Sequence, residues 1–179
     1  MEGDGLRHDV VFGYGSLVAG RGHRARLDGY RRVWGVAMDN TVDLPGYKRY
    51  LAPDGSRPAL CVAFLDVVPD PSGSVDGLCV PVDGDALARL DDRERNYERI
   101  DVTGRVDVAA PARVWTYVGR AESRARFAAA RREGRCAIAR DYLAAVESGV
   151  RAALGDAAWE AFAPADGLPV RDLRRVDLP

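Results

Sequence analysis

Through the first two thirds of the chain, short apolar runs are separated by polar, Gly- and Pro-rich pieces, a pattern that predicts strands. Val10-Val11-Phe12 is a β-branched and aromatic run ending in Gly13-Tyr14-Gly15-Ser16, as a buried strand does when it enters a glycine-rich loop. Further strands are predicted at 29–38, 58–67, 75–82, 98–108 and 112–118, with turns at Pro53-Asp54-Gly55 and Pro69-Asp70-Pro71. Helices are predicted at 84–94, where Asp83 is a candidate N-cap, at 120–135, and at 137–154, closed by Gly155. In the last of these, Ile138, Tyr142, Val146 and Val150 recur every four residues and form a core-facing stripe. Strands followed by helices predict an α+β fold with a curled, barrel-like sheet. One domain is expected over 9–162, with loose termini at 1–8 and 163–179.

Composition narrows the chemistry. A chain of 179 residues with 47% hydrophobic content can bury a core without staples or metals. The net charge of -1 lacks the basic field of a nucleic-acid binder, so no nucleic-acid partner is expected. Twenty-five arginines stand beside one lysine, Lys48, and we read the excess as a bias of the whole chain rather than a binding site. The arginines at 120–135 are accordingly read as a solvated face, the alternative being an anion site. Two histidines (His8, His23) and three cysteines (Cys61, Cys79, Cys136) are scattered without metal-ligand spacing, so neither a structural zinc site nor a zincin-type metal centre is expected. The odd cysteine count and absence of a secretory pattern lead us to expect a cytoplasmic protein, and no apolar run is long enough to span a membrane. Oligomeric state is not legible.

Two places can carry chemistry. The first is the loop Gly13-Tyr14-Gly15-Ser16, where closely spaced glycines after a strand can turn backbone N–H groups outward as an anion cradle. It is not a nucleotide loop: GxxxxGK[ST] is missing and GxGxxG breaks at Val18. It is not a serine-hydrolase elbow either, which makes Ser16 a binder rather than a nucleophile. The alternative is a tight turn with no ligand.

The second is Glu94. Leu87, Leu90 and Glu94 are spaced i, i+3, i+7 on one helix face, so the carboxylate points with the leucines toward the core. Burial and the helix C-terminus both oppose its negative charge, the setting of a proton carrier. The alternative is an exposed residue at a frayed helix end, or one paired with an arginine.

Val11-Phe12-Gly13-Tyr14-Gly15-Ser16-Leu17 followed by Leu90-Asp91-Asp92-Arg93-Glu94 resembles the γ-glutamylcyclotransferase family, whose pattern is a YGS[LN] loop and then an LDxxE helix end. The resemblance extends through Trp115-Thr116-Tyr117-Val118 and the helix bearing Tyr142. It implies a small mixed β-barrel flanked by helices that acts without cofactor or metal. The implied substrate is a small γ-glutamyl amino acid, peptide or amine, and the products are 5-oxoproline and the released amine. The YGSL form is closer to the glutathione-cleaving branch. By this resemblance Gly13, Tyr14, Gly15, Ser16 and Leu17 bind the glutamyl moiety, Glu94 is the general acid/base, and Tyr142, Tyr117 and Tyr97 line the substrate pocket.

The chain departs from the family between Trp34 and Tyr47, where Asn40 and Tyr47 are candidates to contact the leaving amine, the alternative being a strand end with an ordered surface loop. Two competing functions remain: a noncatalytic module that binds a small ligand or partner on the same fold, and an enzyme acting on γ-glutamyl-amine links in a larger metabolite or crosslink.

Overall fold

A computed structural model of the chain describes residues 9–19, 22–108, 113–162 and 167–179. The Val10-Val11-Phe12 run forms β1 (Asp9–Gly13), whose Val11 and Phe12 are buried. The long strands β2 (His23–Asp39) and β4 (Cys61–Val82) run antiparallel from His23 opposite Cys79 to Asp39 opposite Cys61. β5 (Tyr97–Asp101) pairs antiparallel with β6 (Arg113–Gly119), and β6 lies parallel to β1. β7 (Cys136–Ala139) lies parallel to β4 and also carries the short β8 (Val170–Arg171). These form one seven-stranded mixed sheet, ordered β5-β6-β1-β4-β7-β8, with β2 beside β4.

The α+β expectation holds; the barrel does not, because this sheet is not closed. Cys79 of β4 faces both His23 and Phe12, while Cys61 faces both Asp39 and Cys136. A strand has only two edges, so β1 and β7 share the edge of β4 opposite β2, one at each end. Between them that edge of β4 carries no strand among the described residues, and the sheet has a cleft around Leu65.

Four helices pack on this frame. α1 (Gly84–Arg93) starts where Asp83 accepts from the Ala86 N–H at 2.7 Å. This is an N-cap that satisfies one of the first turn's free donors. α2 (Ala121–Arg132) is the predicted arginine-rich helix. Its arginines are not only a solvated face: Arg124 Nε donates to the fully buried Asp66 at 2.7 Å, and Arg126 donates to the Ala37 carbonyl at 2.9 Å. Both clamp the helix to the sheet. α3 (Arg140–Leu154) buries Val146 and Val150, and α4 (Asp156–Phe162) stacks Trp159 on Phe162. No described helix is long and apolar enough to cross a membrane.

Several boundaries differ from the sequence reading. The helix predicted from 137 begins as β7, because Cys136-Ala137-Ile138-Ala139 is a short, wholly buried run in which Ile138 fits either period. The strands at 58–67 and 75–82 are one strand. Tyr30 pairs with Pro69 and Asp28 with Ser74, so residues 70–73 form a bulge opposite Gly29, which sits at φ 81°. The strand predicted at 98–108 stops at Asp101, although Val106 bridges Leu27.

Of the termini, 167–179 are described, while 1–8 and 163–166 lie outside the described residues. β9 (Arg174–Asp177) pairs antiparallel with β3 (Lys48–Leu51). Pairing alone rarely holds two short strands; here Leu173 is also buried in a cluster with Tyr47, Tyr50 and Phe64.

Candidate active site

The cleft in the sheet is filled from above by side chains of both motifs. After β1 the chain drops into a single 3-10 turn, Ser16–Ala19, closed by the Val18 N–H on the Gly15 carbonyl at 3.0 Å. The first N–H groups of such a turn have no partner within it. A Cβ on Gly13 would lie 2.6 Å from Leu17 Cβ, so the turn folds back only because that position is bare. A Cβ on Gly15 would lie 3.7 Å from the Tyr142 hydroxyl, on the cavity side. Tyr14 is buried and donates to the Tyr117 carbonyl at 2.6 Å, which ties the loop to β6. Ser16 is exposed at the cavity rim and has no hydrogen-bonded base beside it among the described residues.

Glu94 is the C-cap of α1. Its side chain is 17% exposed, lines the same cavity as the loop, and receives Arg93 Nε and Nη2 on Oε1 at 2.9 and 2.8 Å. Oε2 accepts no hydrogen bond from the described residues. The Glu94 N–H bonds back to Leu90, ending α1, and the Glu94 carbonyl accepts from the Tyr97 N–H at 2.9 Å. That tight turn over Glu94-Arg95-Asn96-Tyr97 brings Tyr97, the first residue of β5, to the cavity that Glu94 lines.

Leu17, Tyr97, Tyr117 and Tyr142 join Tyr14, Gly15, Ser16 and Glu94 around a small inner cavity of about 30 Å³. Gly13 does not line it and serves the turn. Ser16, Glu94, Tyr97 and Tyr142 also line an outer cavity of about 280 Å³, so the two adjoin. Six of the chain's seven tyrosines line this space, with Tyr47 and Tyr50 on the outer side. Tyr97 donates to the Leu65 carbonyl at 2.6 Å, covering part of the bare edge of β4, and Tyr117 donates to Asp91 at 2.7 Å. Tyr142 packs edge-on against Phe64, ring centres 5.0 Å apart. Burial pushes the hydroxyls of Tyr14, Tyr97, Tyr117 and Tyr142 well above the usual tyrosine range, so all four are neutral. A separate hollow of about 350 Å³ beside β2 and α4 contains no residue of either motif.

Of the two candidates between the strands, only Tyr47 reaches the cavity, where its hydroxyl accepts from Asn96 Nδ2 at 2.9 Å. Asn40 is fully buried and structural. Its amide donates to the Tyr50 and Pro58 carbonyls at 2.9 and 3.0 Å and accepts from the Tyr50 N–H at 2.8 Å.

Sequence reasoning missed Lys48, Arg93, Arg175, Asn96, Asp141 and Phe64, which complete the outer cavity. A signal for one was present: a single lysine in a chain that otherwise uses arginine. Lys48 Nζ lies 4.5 Å from the Phe64 ring centre, and burial lowers it from 10.5 to about 8. Among the described residues no cluster of three or more His, Cys, Asp or Glu side chains is arranged to hold a metal. The three cysteines are free and buried.

Residues 11–136 match the model of a family described as gamma-glutamyl cyclotransferase, AIG2-like. No curated protein matches the chain. Among solved structures, the fold is similar to an uncharacterized protein from Homo sapiens (TM-score 0.56, 14% identity, covering 89% of this chain and 90% of that one). It is also similar to a structure named gamma-glutamyl cyclotransferase (TM-score 0.52, 14% identity, covering 89% and 90%).

Proposed function

Since the chain belongs to the AIG2-like gamma-glutamyl cyclotransferase family, we propose that it converts a small γ-glutamyl amino acid, peptide or amine into 5-oxoproline and the released amine, in the cytoplasm and with Glu94 as the general acid/base. The observation that carries this reading is Glu94 in the wall of the same cavity as the Gly15–Leu17 loop, its Oε1 held by the Arg93 fork while Oε2 accepts no hydrogen bond from the described residues.

The reaction suits these residues because the substrate supplies its own nucleophile. Its α-amine attacks its γ-carbonyl carbon, forming the ring C–N bond, and the bond from that carbon to the leaving nitrogen breaks. Holding the glutamyl chain in a folded conformation brings the two reacting atoms together at high effective molarity. Glu94 takes the proton released by the attacking amine and returns it to the departing nitrogen, so the carboxylate ends unchanged. The unpaired N–H groups at the start of the 3-10 turn receive either the developing oxyanion or the α-carboxylate. Neutral tyrosines favour this chemistry twice: they add no competing charge, and their rings keep water from the reacting carbonyl. Arg93 is a positioning residue, since it fixes one carboxylate oxygen and leaves the other for the substrate.

The test is to incubate the purified protein with glutathione, several γ-glutamyl dipeptides and γ-glutamyl-ε-lysine and to measure 5-oxoproline. Release from at least one supports the proposal. Release from none transfers the reading to a noncatalytic binding module, and release from γ-glutamyl-ε-lysine alone assigns the enzyme to crosslinks.

A further inference from the structure

The outer cavity has three cations, Arg93, Lys48 and Arg175, against two carboxylates, Glu94 and Asp141. Arg93 is engaged by Glu94 at 2.8 Å and Arg175 by Asp177 at 2.7 Å. Lys48 differs. Among the described residues its ammonium has no ion pair and no hydrogen bond, only the faces of Phe64 and Tyr47 at 4.5 and 5.2 Å. Its position is built rather than accidental. Lys48 and Tyr50 lie directly opposite Asp177 and Arg175 in the β3–β9 ladder, so all four project from one face, and that face walls the cavity. An unpaired ammonium among aromatic rings is unfavourable unless something negative visits it.

Lys48 lines the outer cavity and not the inner one, where the loop and Glu94 meet. With the glutamyl moiety on the loop, whatever reaches Lys48 belongs to the other side of the scissile bond. We propose that Lys48 is a specificity-determining residue that receives an anionic group, such as a carboxylate, on the leaving amine. The protein therefore selects γ-glutamyl amino acids or peptides with a nearby carboxylate over γ-glutamyl amines that lack one. The inference rests on the cyclotransferase reading of the same cavity, and it adds the β3–β9 ladder, whose second strand lies beyond the residues the family model matches, to the binding site.

The experiment compares γ-glutamyl-alanine with γ-glutamyl-alaninamide, which differ only in the leaving-group carboxylate. kcat/KM for 5-oxoproline release is measured on the wild type, Lys48→Met and Lys48→Arg. A hydrogen bond between charged groups predicts a wild-type preference for the acid of about 10- to 100-fold. It falls toward one in Lys48→Met and survives in part in Lys48→Arg. The ratio between proteins cancels the intrinsic difference between the two leaving amines. Binding of the same pair to Glu94→Gln protein, with and without Lys48→Met, is measured by calorimetry and needs no turnover. If that preference depends on Lys48 but no protein makes 5-oxoproline, the anion reading stands and the cyclotransferase reading falls. If 5-oxoproline forms but Lys48→Met leaves the ratio unchanged, or lowers both substrates equally, the anion reading is overturned alone. Failure of both ligands to bind overturns it as well.

Discussion

Replacing Lys48 by methionine is expected to stabilise the ligand-free protein. The fall of the Lys48 ammonium from 10.5 to about 8 means that the folded state holds this proton less tightly than the unfolded chain does. At about 1.36 kcal/mol per tenfold change, the charged form costs about 3 kcal/mol in the fold at neutral pH. Part of that is offset: the ring faces of Phe64 and Tyr47 return about 0.5 to 1 kcal/mol each, and methionine loses them. A net gain of about 1 to 2 kcal/mol remains, or a rise of about 2 to 8 °C in melting temperature for a chain of this size. The pH dependence separates this cause from simple repacking. Below about 8 both states are protonated and the full penalty stands; between about 8 and 10.5 the folded protein has released the proton and the unfolded chain has not, so wild-type stability rises. The advantage of Lys48→Met is therefore largest at pH 7 and shrinks by pH 10. Differential scanning calorimetry of both proteins at these two pH values is the assay. A variant that melts at or below the wild type at pH 7, or a difference independent of pH, would refute the reasoning.

Three further outcomes follow from the geometry. Gly15→Ala is expected to fold, because its methyl crowds only the flexible end of Leu65 (Cδ1 at 3.3 Å), which can give way, and stands 3.7 Å from the Tyr142 hydroxyl, yet to lose turnover because that methyl stands beside the inner cavity; steady-state kinetics beside a melting curve separates the two effects. Asn40→Ala removes three hydrogen bonds, two of them buried, and leaves the Tyr50 N–H and carbonyl without their Asn40 partner, so urea unfolding is expected to register a loss of about 2 to 4 kcal/mol. The preference for an anionic leaving group is expected to weaken as pH rises through about 8 and Lys48 loses its charge. Arg93 at the end of α1, Glu94 as its C-cap, Arg175 and Asp177 on β9 and Asp141 on α3 are the other charged groups around it, and a preference flat from pH 7 to 9.5 would assign the selectivity to the arginines.

The legible parts of this protein are those in which local pattern and tertiary role coincide. Val10-Val11-Phe12 is an apolar run whose Val11 and Phe12 are buried in β1, and the helical period through Leu87 and Leu90 ends at Glu94, the C-cap of α1, so the strand before the loop and the helix before the carboxylate were readable in the sequence. What was not readable depends on distant partners. Cys136–Ala139 is a strand because β4 lies beside it, and Arg174–Asp177 is a strand because β3 does; neither segment has a period that decides the matter alone. The same holds at the site. Arg93 and Arg175 are two of 25 arginines, and only the cavity distinguishes them from those on the surface. The arginine excess is thus not wholly a surface property. The barrel expectation failed for an instructive reason: β1 and β7 divide one edge of β4 between them, and the place where neither lies is where the tyrosines and Glu94 converge.

The most direct test of the account is the turnover of Glu94→Gln on whichever γ-glutamyl substrate the wild type cleaves best. Glutamine keeps the shape of the side chain but can neither take nor return the proton, so kcat/KM for 5-oxoproline release is expected to fall by about 10² to 10⁴ with the melting temperature little changed. Wild-type turnover in Glu94→Gln would contradict the central claim.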